Sequence, residues 1–291
     1  MKKMNKIKTL LNNPIVKREI KQTFRKAKIF WIMAAYLFAL AGVSSVVLGS
    51  VGGSSNAYDP VLPSVMYFVI LGMQMLLLTL IVPITTSTAI SGEKERQTFD
   101  LLIITKTSMY DIIMGKMLSS LMIVCIMIVL SMPVYAVVFY YGGVSVLQFL
   151  LNQIYMLCYV AMIGSLGIVF SSVMKKSTAA SIATIALIFA ITIGAWMFIG
   201  MVGLMLSAIF RTKTLLKIFG SLFIFNPIVS FISMIDSQMG SDISWDLLDE
   251  IGFSFENDFI YCWHINMIVY IFISHLLIKL AAKKIAPVRK K

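Results

Sequence analysis

Few side chains in this sequence have the types and spacing that chemistry would need. His264 and His275 are eleven residues apart, so on one helix they would share a face but lie about 16 Å apart, too far to bind one metal ion. The three cysteines lie in or at the end of apolar segments, far apart in sequence, and give neither a disulfide framework nor a metal-ligand spacing. The sequence contains no G-x-x-x-x-G-K-[ST] phosphate-binding loop and no H-E-x-x-H zinc motif. We therefore expect no catalytic residue, no metal and no cofactor in this chain itself.

A dense run of charge, Glu93-Lys94-Glu95-Arg96, lies in the stretch 91–116 between two long apolar segments. An apolar face follows at the helical spacing i, i+3 and i+4, formed by Phe99, Leu102 and Ile103. Ser108 and Asp111 then match a capping box ahead of the next apolar run. The pattern predicts a short amphipathic helix at the membrane edge, a break at 105–107 and a capped start of the next helix. Such a helix suits a contact with another protein; the alternative is a solvated amphipathic loop without a partner.

The composition indicates a polytopic, all-α membrane protein. Of the 291 residues, 59% are hydrophobic and 13% are charged, and the mean hydropathy is +0.91. The net charge of +12 could suggest a nucleic-acid partner. However, the charges lie between and beyond the apolar runs, where membrane topology requires them, so we expect no nucleic-acid binding.

Six apolar segments are long enough to cross a bilayer as helices, which takes about 20 residues each. They are residues 29–50, 61–90, 116–141, 147–174, 178–207 and 259–282. The second is longer than a span needs and contains Pro83, which predicts a kink near its end. Asn13-Pro14 reads as a helix start, and the basic amphipathic stretch from there to residue 28 predicts an interfacial helix.

The segment 208–258 leaves two readings open. Residues 219–235 are apolar but short, and Asn226-Pro227 interrupts them, so they could form a seventh span or two half-depth pieces. With six spans, 22 Lys and Arg residues fall on the side of the two termini and three on the other. This distribution favours six spans with both termini in the cytoplasm. We therefore predict a re-entrant hairpin on the outer face before the last span.

The stretch 92–116 also resembles the loop between the second and third membrane helices of ABC-2 type transporter permeases. The positions that carry the resemblance are Gly92, Glu93, Glu95, Thr98, Leu101, Leu102, Thr105, Gly115 and Lys116. Lys106 stands where that family usually has proline, and residues 13–31 are similar to the N-terminal segment of many of these permeases. The resemblance implies a cytoplasmic segment 1–28, a transmembrane domain 29–282 with a coupling loop 91–116 and an outer loop 208–258, and a basic cytoplasmic tail 283–291.

The resemblance implies a permease subunit of an ATP-driven exporter in the cell (cytoplasmic or inner) membrane. A second permease, identical or homologous, would complete the path across the membrane, and membrane lipids would surround both subunits. Two copies of a separate ATPase subunit would bind ATP and magnesium and supply the energy, so this chain would be non-catalytic. The implied substrate is amphipathic or hydrophobic: a peptide, an antibiotic or a lipid.

The resemblance also implies two sets of site residues. Those that would couple the chain to the ATPase are Gly92, Glu93, Glu95, Arg96, Thr98, Phe99 and Leu102. Weakly polar residues of the second and fifth spans, which face the partner permease in that family, are candidates for the substrate path: Gln74, Thr79, Thr184 and Thr192. The alternative for these four is interhelical hydrogen bonding alone.

Other classes of membrane protein make different demands on the sequence. An ion-coupled secondary transporter would normally place an ionisable residue at mid-membrane, and the predicted spans hold no Asp, Glu, Lys or Arg away from their ends. A membrane enzyme would need a clustered catalytic set, which the sequence lacks. A membrane sensor or scaffold requires no particular residues that could be sought in the sequence, so this class stays open as an alternative.

Overall fold

The computed structural model of the protein describes residues 27–52, 62–99, 109–140, 144–195, 226–239 and 262–285, with a few positions between 197 and 205. Throughout these residues the regular structure is helical. Several predicted features lie outside the described residues: Leu102, the break at 105–107, the tail beyond residue 285, almost all of the N-terminal interfacial helix and most of the outer loop.

Eight α-helices follow one another in the described residues. They are α1 (Ala27–Gly52), α2 (Leu62–Thr86), α3 (Thr88–Glu95), α4 (Met109–Tyr140), α5 (Val146–Val173), α6 (Ser177–Phe189), α7 (Pro227–Met239) and α8 (Cys262–Ile285). A π turn, Ala190–Gly194, continues α6. Six spans are long and apolar enough to cross a membrane: α1, α2 with α3, α4, α5, α6 with the π turn, and α8. This confirms the predicted all-α fold with six candidate membrane-spanning helices.

The second span contains a break at Ser87, which separates α2 from the short helix α3. Pro83 lies inside α2, where it lacks the N–H that a helix would use. The Ser87 N–H donates to the Pro83 carbonyl at 2.9 Å, and the Ser87 hydroxyl donates to the same oxygen at 2.5 Å. The hydroxyl of Ser87 therefore does not cap α3, and the first N–H groups of that helix need acceptors from elsewhere.

One compact unit of the chain comprises residues up to 185 and from 273 onward. Its interior contains polar side chains from several helices that bond one another. The buried Gln74 amide of α2 donates to Gln153 Oε1 of α5 at 3.1 Å and accepts from the Tyr135 hydroxyl of α4. Asn152 of α5 donates to the Tyr67 hydroxyl of α2 at 2.6 Å. Such bonds join helices in a membrane, where the apolar surroundings offer polar groups no water.

The second compact unit comprises residues 186–272 and contains the π turn, α7 and the first half of α8. The Asn226 amide donates to the carbonyls of Ile191 and Thr192 in the π turn, at 3.2 and 2.8 Å. Its side-chain oxygen accepts from the Ile228 N–H at 2.9 Å, which caps the start of α7. Asn226 therefore fixes two irregular backbone regions at once.

Helix α7 begins at Pro227, where the sequence predicts an interruption. The Trp263 ring N–H of α8 donates to the Ser237 hydroxyl of α7 at 3.1 Å, which joins the two helices. With 13 residues, α7 is about 20 Å long, short of the roughly 30 Å of a bilayer core. It does not span a membrane by its own length; the re-entrant hairpin stays a prediction.

Candidate functional site

Three consecutive charged residues of α3, Glu93-Lys94-Glu95, each bind a different helix of the same unit. We refer to them as the charged segment. The first bond is an ion pair, because Lys116 Nζ of α4 lies 2.7 Å from Glu93 Oε1. The Lys116 side chain is 4% exposed and the Glu93 side chain 23% exposed, so this pair is shielded from water and salt more than a surface pair would be.

Lys94 binds the C-terminal end of α5. Its ammonium group donates to the carbonyls of Ser171, Ser172 and Met174, at 3.3, 2.5 and 3.4 Å. The last carbonyls of a helix have no N–H partner within the helix, and the helix dipole places negative charge there. A lysine side chain is therefore complementary to this end of α5 in both hydrogen bonding and charge.

Glu95 binds the start of α6, where an anion rather than a cation is favoured. Its two carboxylate oxygens accept from the backbone N–H and the hydroxyl of Ser177, both at 2.8 Å. Ser177 is the first residue of α6, so the carboxylate lies at the positive end of that helix dipole. The charged segment thus presents a cation to one helix end and an anion to the next.

The first turn of α3 is capped by a side chain from α5. The Ser171 hydroxyl oxygen accepts from the N–H groups of Ile90 and Ser91, at 2.9 and 2.8 Å, and lies 3.3 Å from the Ser91 hydroxyl. A serine that accepts the first N–H groups of a helix is the usual N-cap. Here the cap is about 80 residues away in sequence and belongs to another helix, because Ser87 uses its own hydroxyl elsewhere.

Helix α5 also approaches the Ser87 break closely through glycine. A side chain at Gly167 would overlap the Thr86 hydroxyl, and its Cβ would lie 3.1 Å from Thr86 Cβ and 3.4 Å from the Ser87 nitrogen. Glycine is therefore required at this contact. One turn earlier, a Cβ at Gly164 would lie 3.4 Å from its nearest neighbour, an ordinary contact.

Helix α3 ends in a Schellman motif that turns the chain back. The Thr98 N–H donates to the Glu93 carbonyl at 3.0 Å, and the Gln97 N–H donates to the Lys94 carbonyl at 3.2 Å. Gln97 has a φ of +58°, the left-handed conformation that glycine usually supplies at this position. Arg96, Gln97 and Thr98 are all exposed at this turn.

Beyond the turn, Phe99 is partly buried against the chain's own helices. It packs against an apolar cluster of α3, α4, α5 and α8, made of Ile90, Ile113, Met117, Ile168, Ile278 and Ala281. The Lys94 ammonium lies 5.6 Å from the centre of the Phe99 ring, within reach of a cation–π contact. Phe99 thus anchors the chain after the turn.

The structure divides the predicted coupling residues into two groups. The side chains of Glu93, Glu95 and Phe99 contact other helices of the chain, although Glu95 is exposed, whereas Arg96 and Thr98 lie exposed at the turn. A Cβ at the partly exposed Gly92 would meet no atom within 4 Å. The sequence predicts the charges at the beginning of an amphipathic helix; in the structure they occupy the end of α3, because the Schellman motif stops the helix after them. That the group couples to an ATPase stays a prediction.

All four residues proposed for the substrate path make hydrogen bonds within the chain. The bonds of Gln74 are given above, and the Thr79 hydroxyl lies 2.9 Å from the Tyr159 hydroxyl. Thr184 lies 3.3 Å from the Ser87 hydroxyl, and Thr192 donates to the Ile188 carbonyl at 2.8 Å. The interhelical alternative accounts for Gln74, Thr79 and Thr184; that any of the four lines a path stays a prediction.

Sequence reasoning missed the residues that receive the charged segment. Ser171 and Ser177 carry no local motif that distinguishes them from the other serines of the chain. The sequence places Lys116 in the family motif and at the start of a predicted span, but does not indicate it as the partner of Glu93. For Lys94, the sequence itself contains a signal. A cation that lies between two carboxylates in sequence is expected to bind a group other than these two neighbours. Its partner on α5 depends on packing over nearly 80 residues.

Comparison with known families gives one match that covers most of the chain. The family model described as "ABC-2 family transporter protein" matches residues 13–278. No curated protein matches the sequence. The match includes every described helix except the last turns of α8.

Proposed function

The chain belongs to the ABC-2 transporter family, and from that premise we propose that it is the permease subunit of an ABC exporter powered by a separate ATPase. The family and the six apolar helices support a multi-pass membrane protein of a transporter family. We propose further that it resides in the cytoplasmic or inner membrane with both termini in the cytoplasm. The 22-to-three distribution of Lys and Arg supports this orientation.

We propose that the turn after α3 is the contact for the ATPase. A coupling element needs an exposed surface for its partner and firm attachment to the membrane helices. Arg96, Gln97 and Thr98 supply the exposed surface, and the charged segment supplies bonds to α4, α5 and α6. The observation that carries the proposal is this combination within six consecutive residues, 93–98, of the family's characteristic loop.

The remaining parts of the proposal follow the family. Two ATPase copies bind ATP and magnesium, and a second permease, identical or homologous, completes the path. The substrate is amphipathic or hydrophobic, such as a peptide, an antibiotic or a lipid. An apolar route is supported by the predicted spans, which hold no Asp, Glu, Lys or Arg away from their ends.

Purification from native membranes tests the proposal. A tagged chain should bring down an ATPase that contains a phosphate-binding loop, in fixed ratio and with ATPase activity. Arg96→Glu should reduce the amount of bound ATPase at least tenfold, because close charge pairs at interfaces contribute about 1.5–7 kcal/mol.

The matched control is Val146→Glu, which adds a carboxylate at an exposed position at the opposite end of α5. This variant should bind the ATPase as the wild type does. An ATPase that never accompanies the chain, or ATP hydrolysis by a partner-free preparation, would contradict the proposed function.

A further inference from the structure

We infer that α5 is the helix that receives the movement of α3, and that Ser171 and Lys94 are the positioning residues that transmit it. This inference rests on the proposed function, in which an ATPase moves the turn after α3. The covalent routes from α3 lead back into α2 and onward through the turn to α4. The non-covalent contacts lead into α4, α5 and α6, and three observations indicate that those with α5 form the stiffest connection.

The first observation concerns the junction between α2 and α3. The helix is interrupted at Ser87, and the carbonyl four residues before it belongs to a proline. Proline and a nearby break are the usual origin of a bend in a long helix. A force on α3 can therefore change the angle at this junction without displacing all of α2.

The second observation concerns the bonds between α3 and α5. Ser171 accepts two N–H groups of α3, and Lys94 donates to three carbonyls at the end of α5. One bonded set is at the first turn of α3 and the other at its last turn. Because both ends of the short helix are attached to the same neighbour, α3 cannot rotate away from α5 without breaking one set.

The third observation concerns packing. The contact at Gly167 brings the α5 backbone against Thr86 and Ser87, the residues of the break itself. Close-packed interiors transmit displacement because they compress little. Helix α5 is also the most buried of the six candidate spans, so a displacement of its end reaches many neighbours.

The connection continues from α5 to α6. Helix α5 ends at Val173, and α6 begins at Ser177 after a short turn. Glu95 holds Ser177 directly. A displacement of α3 is therefore delivered to both sides of that turn, and the α5–α6 turn should follow α3 during the ATPase cycle.

The first test uses the purified chain alone and measures amide hydrogen exchange at Ile90 and Ser91. Ser171→Ala removes the acceptor of both N–H groups, so their exchange should become about tenfold faster or more. Ser172→Ala is the matched control, because among the described residues the Ser172 hydroxyl bonds only the nearby Val169 carbonyl, while the Ser172 carbonyl remains available to Lys94. Equal exchange in the wild type and in Ser171→Ala would overturn the inference.

The second test uses the complex with its ATPase. The three native cysteines are replaced by alanine, and spin labels are placed in pairs: Thr88 with Lys283, and Lys175 with Lys283. Thr88 reports on α3 and Lys175 on the α5–α6 turn; all three positions are exposed. An excess of unlabelled chain ensures that a complex carries at most one labelled copy, and distances are compared without nucleotide and with ATP and vanadate.

In the wild-type background both distances should change on trapping. In the Ser171→Ala/Lys94→Met background the Thr88 distance should still change and the Lys175 distance should change by less than half as much. Ser171→Thr/Lys94→Arg, which keeps a hydroxyl and a cation, should restore the second change. If the Lys175 distance still changes fully in the Ala/Met variant, Ser171 and Lys94 do not transmit the movement and the inference is overturned. If the Thr88 distance never changes, the inference and the proposed function both fail.

Discussion

The described part of the chain contains two irregular points within its helices, the Ser87 break and the π turn. At each point a side chain from another element binds the free backbone groups, as an acceptor at the first and as a donor at the second. At the Ser87 break, free N–H groups are bound by an acceptor, the Ser171 hydroxyl. At the π turn, carbonyls are bound by a donor, the Asn226 amide. A broken helix leaves donors at one end and acceptors at the other, so the closing residue has to match the end that it serves.

The two interruptions also differ in charge. Around the Ser87 break, α3 places Glu93, Lys94 and Glu95 on three helices. The contacts that we describe at the π turn all join uncharged groups. The exposed contact of Glu95 responds to salt and to a charged partner, the more shielded Glu93–Lys116 pair responds less, and the neutral bonds at the π turn do not respond. Under the proposed function, the Ser87 region is the part that a partner moves.

The largest expected effect comes from the buried ion pair near the Ser87 break. Lys116→Met leaves the Glu93 carboxylate without its cation, which should lower the free energy of unfolding by about 3 kcal/mol. Thermal or denaturant unfolding in detergent measures this loss. The double variant Glu93→Gln/Lys116→Met removes both charges and should recover most of it. Equal stability of the two variants would show that the pair is not coupled.

The next largest loss of stability is expected at the π turn. Asn226→Ala removes the donor to two carbonyls and the cap of α7, so it should cost about 2 kcal/mol. Asn226→Asp keeps a side-chain oxygen to cap α7 but cannot donate to the carbonyls. If the amide donors matter as described, hydrogen exchange over residues 190–194 should accelerate in both variants. Normal exchange there in Asn226→Asp would assign the role of Asn226 to capping alone.

A smaller effect is expected from a methyl group at the close contact beside the Ser87 break. Gly167→Ala should destabilise the protein by about 1 kcal/mol, since overlap with Thr86 exceeds the gain in helix propensity. Gly164→Ala, on the same helix with an ordinary contact distance of 3.4 Å, should be neutral or slightly stabilising. The difference in melting temperature between these two variants measures the closeness of α5 to the break. The reverse order would contradict the described packing.

The smallest effect concerns Glu95, which is exposed. Glu95→Gln keeps the shape of the side chain but removes the charge at the start of α6. The melting temperature should fall slightly at low ionic strength, and the difference from wild type should vanish near about 1 M salt, where the Debye length is only about 3 Å. Asn226→Ala provides the contrast, because its effect should be the same at both salt concentrations.

The spans were predictable because length and hydrophobicity define them. The sequence predicts a span at 147–174, and α5 covers Val146–Val173. The sequence also predicts a helix start after Ser108, and α4 begins at Met109, seven residues before the predicted span at 116. The capping box of Ser145 and Gln148 carries the local signature S-x-x-Q, so this helix start too is predictable from the sequence.

The contacts of the charged segment were not predictable in the same way. Helical periodicity places charges on a face but does not say where the helix ends, and α3 ends through a left-handed Gln97 where glycine is the usual signal. The partners Ser171 and Ser177 are about 80 residues away in sequence. Such pairings depend on how helices pack, which a single sequence does not encode locally.

The most direct measurement for the central claim is site-specific photocrosslinking in native membranes. A photoreactive amino acid at Arg96 should form an adduct with an ATPase that contains a phosphate-binding loop. The same amino acid at Val146, exposed at the far end of α5 and about 40 Å along that helix from its C-terminal end, should form none. If Arg96 yields no ATPase adduct, or Val146 yields the same one, the turn after α3 is not the coupling site.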